Sequence, residues 1–204
     1  MAVGDDGRKR LVVGISGASG AIYGVRALEI LRRLGVETHL VMTRSAQITL
    51  GHETTWRPAE VGALADAVYR PQDIAAPISS GSFRTIGMLV APCSVRSLSE
   101  IATGVTSNLL TRAADVVLKE RRRLVLLVRE TPLHLGHLRA MAAVTEMGAV
   151  VMPPVPAFYA KPASIDEMVA DTVGRALDLF GLDSGTAHRW GEAPPPEPDD
   201  IAEI

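Results

Sequence analysis

Apolar positions along this chain follow two alternating periods. Short apolar runs of the kind that form buried parallel strands are followed by stretches in which apolar residues recur at helical spacing. The apolar runs predict strands at residues 11–15, 37–42, 86–91, 124–128 and 149–152. The helical spacing predicts helices at about 21–34, from 45, at 58–67, 94–102, 108–122, 135–147 and 164–180. This alternation predicts an α/β fold: a single-domain, doubly wound, Rossmann-like and flavodoxin-like parallel sheet with helices on both faces.

Three segments fall outside the alternation. Residues 1–10 are polar and are predicted to be a flexible N-terminus. Residues 191–204 are acidic and rich in proline, which predicts a disordered tail or an arm on a neighbouring subunit. Residues 70–85 form a loop of Gly, Ser and Pro that is long for a compact domain, and loops of that length are usually functional or mobile.

The turn between the first strand and the first helix is the first candidate site. Ser16 to Gly20 are all small, so the backbone can approach a ligand, and a helix start directs free N–H groups at an anion. Ser16 and Ser19 add hydroxyl donors, and the alternative is a tight turn that binds nothing. The Gly14-x-x-Gly17-x-x-Gly20 spacing is neither a dinucleotide fingerprint nor a Walker A loop. The second strand ends in a hydroxyl residue rather than an acid, which favours a monophosphate such as FMN over NAD.

Polar residues recur where the predicted strands end. Ligands of doubly wound sheets bind at the carboxyl ends of the strands. The residues at these ends are Ser16, Ser19, Thr43, Ser45, Ser94, Ser97, Arg129 and Glu130. The alternative interpretation of Arg129 and Glu130 is a surface ion pair without a functional role. Charges at strand ends in α/β folds are, however, commonly functional. The concentration of polar residues predicts a site at this edge of the sheet.

Several other residues are weaker candidates. Arg112 and Lys119 share one face of the 108–122 helix, and their role stays open, whereas Arg121–Arg123 are interpreted as a solvated cationic helix end. Cys93 is interpreted as a small strand-end residue rather than a nucleophile. His134 and His137 have no evident third ligand, and Asp199-Asp200-x-x-Glu203 lies in the tail, so no metal site is predicted.

Composition narrows the class of protein. With 204 residues and 47% hydrophobic content, the chain can bury one sizeable core. A net charge of −2 provides no electrostatic basis for binding nucleic acid or an anionic membrane. A single cysteine fits a reducing compartment, and neither a signal peptide nor a membrane-length apolar run is evident. The sequence therefore predicts a cytoplasmic protein.

Six segments, in order, resemble the UbiX family of flavin prenyltransferases. They are Val13–Gly24, Ser79–Phe83, Gly87–Ser94, Leu110–Arg122, Arg129–Leu138 and Pro154–Tyr159. The resemblance extends from about residue 10 to Trp190, so residues 11–190 are assigned to one flavoprotein domain. It implies transfer of a dimethylallyl group from dimethylallyl monophosphate to N5 and C6 of reduced FMN. It also implies that prenylated FMN passes to a UbiD-type decarboxylase, and that the protein forms a homo-oligomer, typically a dodecamer.

The resemblance also implies roles for individual residues. The expected FMN-binding residues are Gly17, Ala18, Ser19, Thr43, Ser94, Val95, Arg96, Ser97 and Arg129. The expected prenyl-phosphate residues are Tyr159, Arg175, Arg112 and Lys119, acting across a subunit boundary. The expected catalytic residues are Glu53, Glu130, Ser19 and Lys119, with the two glutamates managing protons. Thr43 and Ser97 stand where many members carry the other hydroxyl residue, so the hydroxyl is kept.

Two alternatives to prenyl transfer remain. An FMN-dependent cysteine decarboxylase of the same fold would carry a Pro-Ala-Ser-Ala-Asn-Thr-like segment, where this chain has Ala91-Pro-Cys-Ser-Val-Arg-Ser97. A non-catalytic FMN carrier, or an accessory subunit of a decarboxylase, would bind FMN without turnover. Fixed cations favour prenyl transfer, because Arg and Lys donors bind a departing phosphate more strongly as its charge grows.

Overall fold

Six parallel strands form one sheet in the order β3-β2-β1-β4-β5-β6. The computed structural model describes residues 7–189 and residue 191. The strands are β1 Arg10–Ile15, β2 Glu37–Met42, β3 Ala67–Tyr69, β4 Gly87–Cys93, β5 Arg123–Val128 and β6 Val150–Val151. The helices are α1 Ala21–Arg33, α2 Arg44–Glu53, α3 Pro58–Gly62, α4 Val95–Thr103, α5 Leu109–Lys119, α6 Leu135–Glu146 and α7 Ile165–Asp178. Short 3-10 turns form at Pro77–Ser79 and Phe158–Ala160.

The strand order reverses between β1 and β4. From β1 the chain builds outward through β2 and β3, and it then returns to place β4 on the other side of β1. Ile15 pairs with Met42, and Gly14 pairs with Val90, so the carboxyl ends of β1, β2 and β4 lie close together. Ligand sites in doubly wound sheets form at this reversal. The doubly wound α/β class predicted from the sequence is therefore confirmed.

Both faces of the sheet are buried. Leu11, Val13 and Ile15 of β1 pack in a core that includes α1 and α7 residues, and Val12 packs in a second core with α4 and α5. Because alternate residues of one strand enter different cores, the strand is apolar without interruption. Burying each large aliphatic side chain contributes about 2 kcal/mol, so these strands form the stable centre of the fold.

The predicted helix at 58–67 is wrong in its second half. Helix α3 ends at Gly62, and Ala67–Tyr69 forms an edge strand beside β2. The Asp66 carboxylate accepts hydrogen bonds from the backbone N–H and the hydroxyl of Thr38, at 2.9 and 3.2 Å, and so fixes the start of β3. This tertiary contact overrides the helical spacing of a segment too short to show a strand period.

Other boundaries differ less. The strand predicted to end at residue 91 continues to Cys93, and the helix predicted at 108–122 ends at Lys119. Arg10 belongs to β1 and the carbonyl of Lys9 accepts a hydrogen bond from Glu37, so the predicted flexible N-terminus does not extend that far. Residues 1–6 and the predicted tail, apart from residue 191, lie outside the described residues. Among the described helices, none is both long and apolar enough to cross a membrane.

Candidate active site

Ser16 joins the ends of the two central strands. Its hydroxyl donates to the carbonyl of Pro92 at 2.9 Å and accepts from the backbone N–H of Ser94 at 2.7 Å. The residue is buried. The expectation that this hydroxyl serves a ligand is therefore wrong, because both of its hydrogen bonds are made within the protein. Ser16 instead holds the turns after β1 and β4 in register.

The start of α1 is capped by the chain itself. One carboxylate oxygen of Glu53 accepts hydrogen bonds from the backbone N–H groups of Gly20 and Ala21, at 2.8 and 3.1 Å. The sequence favoured a phosphate at this helix start, and in the structure a carboxylate takes that position. The interpretation of these N–H groups as phosphate donors is corrected accordingly, and Glu53 lies against the glycine turn.

The glycine turn packs tightly on the start of α2. A Cβ atom added to Gly17 would lie 2.3 Å from the Ser45 hydroxyl, so this position requires glycine. The Ser45 hydroxyl lies 3.1 Å from that of Thr43. Gly17 thus lies against the start of α2, which directly follows β2, and the shared role of Gly17, Ala18 and Ser19 at FMN stays a prediction.

Three helix starts converge on one cavity of about 460 Å³. Thr43, Ser94 and Asn108 are the N-caps of α2, α4 and α5, and each side chain accepts a hydrogen bond from its own helix. Helix starts carry partial positive charge and favour anions. Ser97 also lines the cavity, and so do two arginines, Arg44 and Arg96. The Glu100 carboxylate also lines the cavity and pairs with Arg96 at 3.0 Å. The hydroxyls, Arg44 and the helix starts suit a phosphate ester with a polyhydroxyl chain, which are the polar parts of FMN.

The end of β5 completes this edge of the sheet. The backbone N–H of Arg129 donates to the carbonyl of Cys93 at 3.1 Å, which holds the β5 end beside Ser94. Burial raises the pKa of Tyr23, and the nearby charge of Arg129 partly offsets this effect. Glu130 is half-buried and accepts a hydrogen bond from the N–H of Thr131 at 3.0 Å. The expected FMN-binding residues, together with Glu53 and Glu130, therefore lie along one edge.

The expected prenyl-phosphate residues do not join them. Lys119 ends α5 directly before β5, whereas Glu130 follows the strand, and the six residues of β5 separate the two by roughly 20 Å. Arg175 pairs with Asp178 at 2.5 Å, near the end of α7. Phe180, which follows α7, packs on Gly87 at the amino end of β4. A single chain thus places Lys119 and Arg175 toward the amino edge of the sheet.

Arg112 and Tyr159 occupy intermediate positions. The Arg112 guanidinium donates to the carbonyl of Ser79 at 3.2 Å and to Asp115 at 2.7 Å. Tyr159 lies in the turn between β6 and α7 and is 54% exposed. Neither residue lines the cavity at the helix starts.

Sequence reasoning missed three residues near these sites. Asn108 and Arg44 line the cavity, and an Asn directly before two leucines of a helix is a recognisable N-cap signal. Arg122 was interpreted as part of a solvated helix end, but its guanidinium donates to two backbone carbonyls, at 2.6 and 2.7 Å. Its carbonyl partners are distant in sequence, so no local pattern could reveal them.

The structure also shows the surroundings of Cys93 and of the histidine pair His134 and His137. Cys93 is fully buried, and burial raises the pKa of its thiol to about 12, which is unsuited to a nucleophile. The rings of His134 and His137 stack with their centroids 3.6 Å apart. Within the described ranges, no group of three or more His, Cys, Asp or Glu side chains could hold a metal ion. A metal-independent reaction stays a prediction.

A doubly wound sheet with helix starts, hydroxyls and arginines around a cavity at its carboxyl edge defines a flavoprotein-type nucleotide-binding protein. The Flavoprotein family profile matches residues 2–177. The flavin prenyltransferase UbiX of Escherichia coli is 62% identical over 175 residues, which are 85% of this chain and 93% of that protein. This chain belongs to the UbiX family of flavin prenyltransferases.

Solved structures agree with this assignment. AnUbiX in complex with FMN and dimethylallyl pyrophosphate superposes with a TM-score of 0.90 at 54% identity, covering 92% of this chain and all of that one. A dodecameric, FMN-dependent UbiX-like decarboxylase from Escherichia coli superposes with a TM-score of 0.87 at 50% identity, covering 89% of this chain and 98% of that one. The FMN-dependent cysteine decarboxylase TvaF is 19% identical and shares the fold alone.

Proposed function

We propose that this flavin prenyltransferase transfers a dimethylallyl group from dimethylallyl monophosphate to reduced FMN. The observation that carries the proposal is the cavity at the starts of α2, α4 and α5, which joins hydroxyls, arginines and helix N–H groups at one sheet edge. Reduced FMN, when bound, supplies the nucleophilic atoms N5 and C6. The family and the complex of AnUbiX with FMN and a dimethylallyl ligand support this assignment.

The carboxyl edge would hold FMN. Thr43, Ser94 and Ser97 would donate hydroxyl hydrogen bonds to the phosphate or the ribityl chain, and Arg96 would add positive charge. The residues expected to border the flavin are Gly17, Ala18, Ser19, Val95 and Arg129. Gly17 lets the turn lie flat on α2, and a larger residue would displace Ser45.

The cationic residues would serve the leaving group. Arg112, Lys119, Tyr159 and Arg175 are the proposed ligands of the prenyl phosphate. When the allylic C–O bond breaks, its electron pair goes to the phosphate, whose charge grows. Hydrogen bonds from charged donors strengthen with that charge and so stabilise the departing group. A monophosphate is the proposed form because a small set of fixed cations can neutralise it.

Glutamates at the carboxyl edge would manage the protons. Closing the new ring would join C6 to the allylic double bond, so that double bond would gain a proton and C6 would lose its hydrogen as a proton. The proton that N5 releases on alkylation balances the one gained, and Glu130 at the end of β5 is the proposed acceptor of the C6 proton. Glu53 accepts hydrogen bonds from the backbone N–H groups of Gly20 and Ala21, which hold its carboxylate at this edge, and it is the proposed second proton-managing group. Ser19 lies in the turn directly before that cap and is the proposed third catalytic group.

The placement of the cations supports an oligomeric site. Because Lys119 lies at the amino edge of the sheet, we propose that a neighbouring copy presents it to the FMN of this copy. The dodecameric structure from Escherichia coli makes a homododecamer the proposed assembly. We also propose a UbiD-type decarboxylase as recipient of the product, and a cytoplasmic location, which the single buried cysteine favours.

The test is an anaerobic incubation of the protein with reduced FMN and dimethylallyl monophosphate, followed by mass spectrometry of the extracted flavin. We expect a flavin heavier by one five-carbon prenyl unit. A parallel incubation with the pyrophosphate decides between the two donors. Unmodified FMN from folded, flavin-loaded protein with both donors would contradict the proposal and favour the carrier alternative.

A further inference from the structure

The loop Ser79–Phe83 is held by two arginines, Arg112 in α5 and Arg122 after the end of that helix. The Arg122 guanidinium donates to the carbonyl of Gly81 at 2.6 Å and to the carbonyl of Phe83 at 2.7 Å. Its side chain is only 17% exposed. Arg112 donates to the carbonyl of Ser79 at 3.2 Å. The backbone of this loop is therefore fixed at three carbonyls by two guanidinium groups.

The middle of the loop lies against Lys119. A Cβ atom added to Gly81 would lie 2.1 Å from a Glu120 carboxylate oxygen and 2.8 Å from the Lys119 ammonium nitrogen. Lys119 in turn donates to the same Glu120 oxygen at 2.6 Å. This hydrogen bond and the charge of Lys119 lower the pKa of Glu120, which keeps its carboxylate ionised. The position of the Gly81 backbone consequently limits where the ammonium group can lie.

We propose that Arg122 is a positioning residue for the prenyl phosphate, because it holds Gly81 where the Lys119–Glu120 pair rests on it. The inference rests on the proposed role of Lys119 as a ligand of that phosphate. Arg122 does not touch substrate in this account. It acts through the loop backbone and through Glu120, whose carboxylate oxygen lies 4.0 Å from its guanidinium. The planar guanidinium suits this task because it bridges two carbonyls at once, which an ammonium group cannot do in the same geometry.

Phe83 is held at its end of the loop by contacts of its own ring. The Phe83 ring packs edge-on against the His39 ring at 4.9 Å, and the Arg10 guanidinium lies over it at 5.1 Å. These contacts do not depend on Arg122, so they keep this end of the loop in place when the guanidinium is lost. A change at Arg122 should therefore free Gly81 and Lys119 without detaching the loop.

The first test is Arg122→Lys in the full-length enzyme, with Arg123→Lys as the matched control. Arg123 is the exposed neighbour at the start of β5. We expect Arg122→Lys to raise the KM for dimethylallyl monophosphate by about tenfold, the equivalent of one lost charge-assisted hydrogen bond. The kcat at saturation, the Kd for FMN and the urea midpoint should stay within about twofold of the wild type. A general loss of folding or of FMN binding would overturn the proposal, as would an unchanged KM.

A double-mutant cycle with Lys119→Met separates the positioning role of Arg122 from the role of Lys119 as a phosphate ligand. If Arg122 acts through Lys119, Arg122→Lys should change the KM by less than about twofold in the Lys119→Met background. Fully additive effects would overturn the positioning role while leaving the role of Lys119 intact. An unchanged KM in Lys119→Met alone would overturn both roles, and wild-type enzyme that forms no prenylated flavin would overturn the proposed function itself. Gly81→Ala provides a second route and should raise the same KM.

Discussion

The carboxylate of Glu53 accepts a hydrogen bond from the backbone N–H of Gly20 at 2.8 Å. The residue that ends α2 thus caps the start of α1, and the two helices that flank the glycine turn are joined by one side chain. This contact ties the end of α2 to the glycine turn. It also fixes a candidate catalytic carboxylate at the edge where FMN is proposed to bind.

Removing this cap should destabilise the fold. We expect Glu53→Ala to lower the free energy of unfolding by about 1 kcal/mol, because two helix N–H groups lose a charged acceptor that is partly exposed to water. Urea denaturation followed by circular dichroism measures the change. Glu146→Ala is the matched control, since Glu146 ends α6 and is exposed. Equal effects of the two substitutions would show that the cap contributes nothing.

Gly17 should be needed for FMN binding. In Gly17→Ala the new methyl group would meet the Ser45 hydroxyl and displace the start of α2, so we expect the Kd for FMN to rise by at least about tenfold. Quenching of flavin fluorescence on titration measures this Kd. Gly51→Ala in the same helix is the control, because an added Cβ meets nothing within 4 Å there. A Kd unchanged in Gly17→Ala would contradict the placement of FMN at this turn.

Glu130 should affect turnover more than binding. Glu130→Gln keeps the shape of the side chain but removes its ability to accept a proton, so we expect FMN to bind normally and product to form at least about a hundredfold more slowly. Single-turnover assays under anaerobic conditions measure the rate. Glu146→Gln should behave as the wild type. Undiminished turnover in Glu130→Gln would refute the proton role.

His39 should make stability depend on pH. Its ring nitrogens face Tyr69 and Glu37, at 2.9 and 3.0 Å, and burial lowers the pKa of the imidazole despite the opposing effect of Glu37. Below the ordinary histidine pKa of about 6.5, the unfolded chain therefore binds a proton at His39 more readily than the folded protein does. The contribution of the neutral imidazole to the free energy of unfolding is present above that pH and is lost as the pH falls.

The measurement for His39 is the free energy of unfolding at pH 7.5 and at pH 5.5. We expect the wild type to lose stability on acidification and His39→Gln to lose less of it. His52→Gln, at an exposed position, should retain the wild-type slope. Identical slopes in all three proteins would exclude His39 as the source.

Cys93 should be unreactive in the folded protein. Its thiol is fully buried and its pKa is raised to about 12, so almost no thiolate exists at pH 8. We expect no reaction with a disulfide reagent in buffer and one thiol per chain in urea. Rapid labelling of the folded protein would show that the end of β4 opens.

The strands and the nature of the site were accessible from local sequence. The apolar runs predicted five of the described strands, β1, β2, β4, β5 and β6. The four longer ones are apolar throughout because they are buried on both faces. The short edge strand β3 escaped because its stability comes from β2 and from the contact between Asp66 and Thr38. Hydroxyls such as Thr43 and Ser94 predicted the ligand edge, since they directly follow strands and begin helices.

The sequence by itself determined the α/β class, the sheet edge at which the ligand site is proposed and, through its motifs, the family. These depend on residues close together in the chain, whose period and turn chemistry act locally. Only the tertiary structure decided that the Ser16 hydroxyl bonds to the turn after β4, and that Arg122 bonds to the backbone of a loop distant in sequence. It also decided that Lys119 lies at the opposite edge from Glu130. These contacts join residues far apart in sequence, and their partners are selected by packing of the whole sheet.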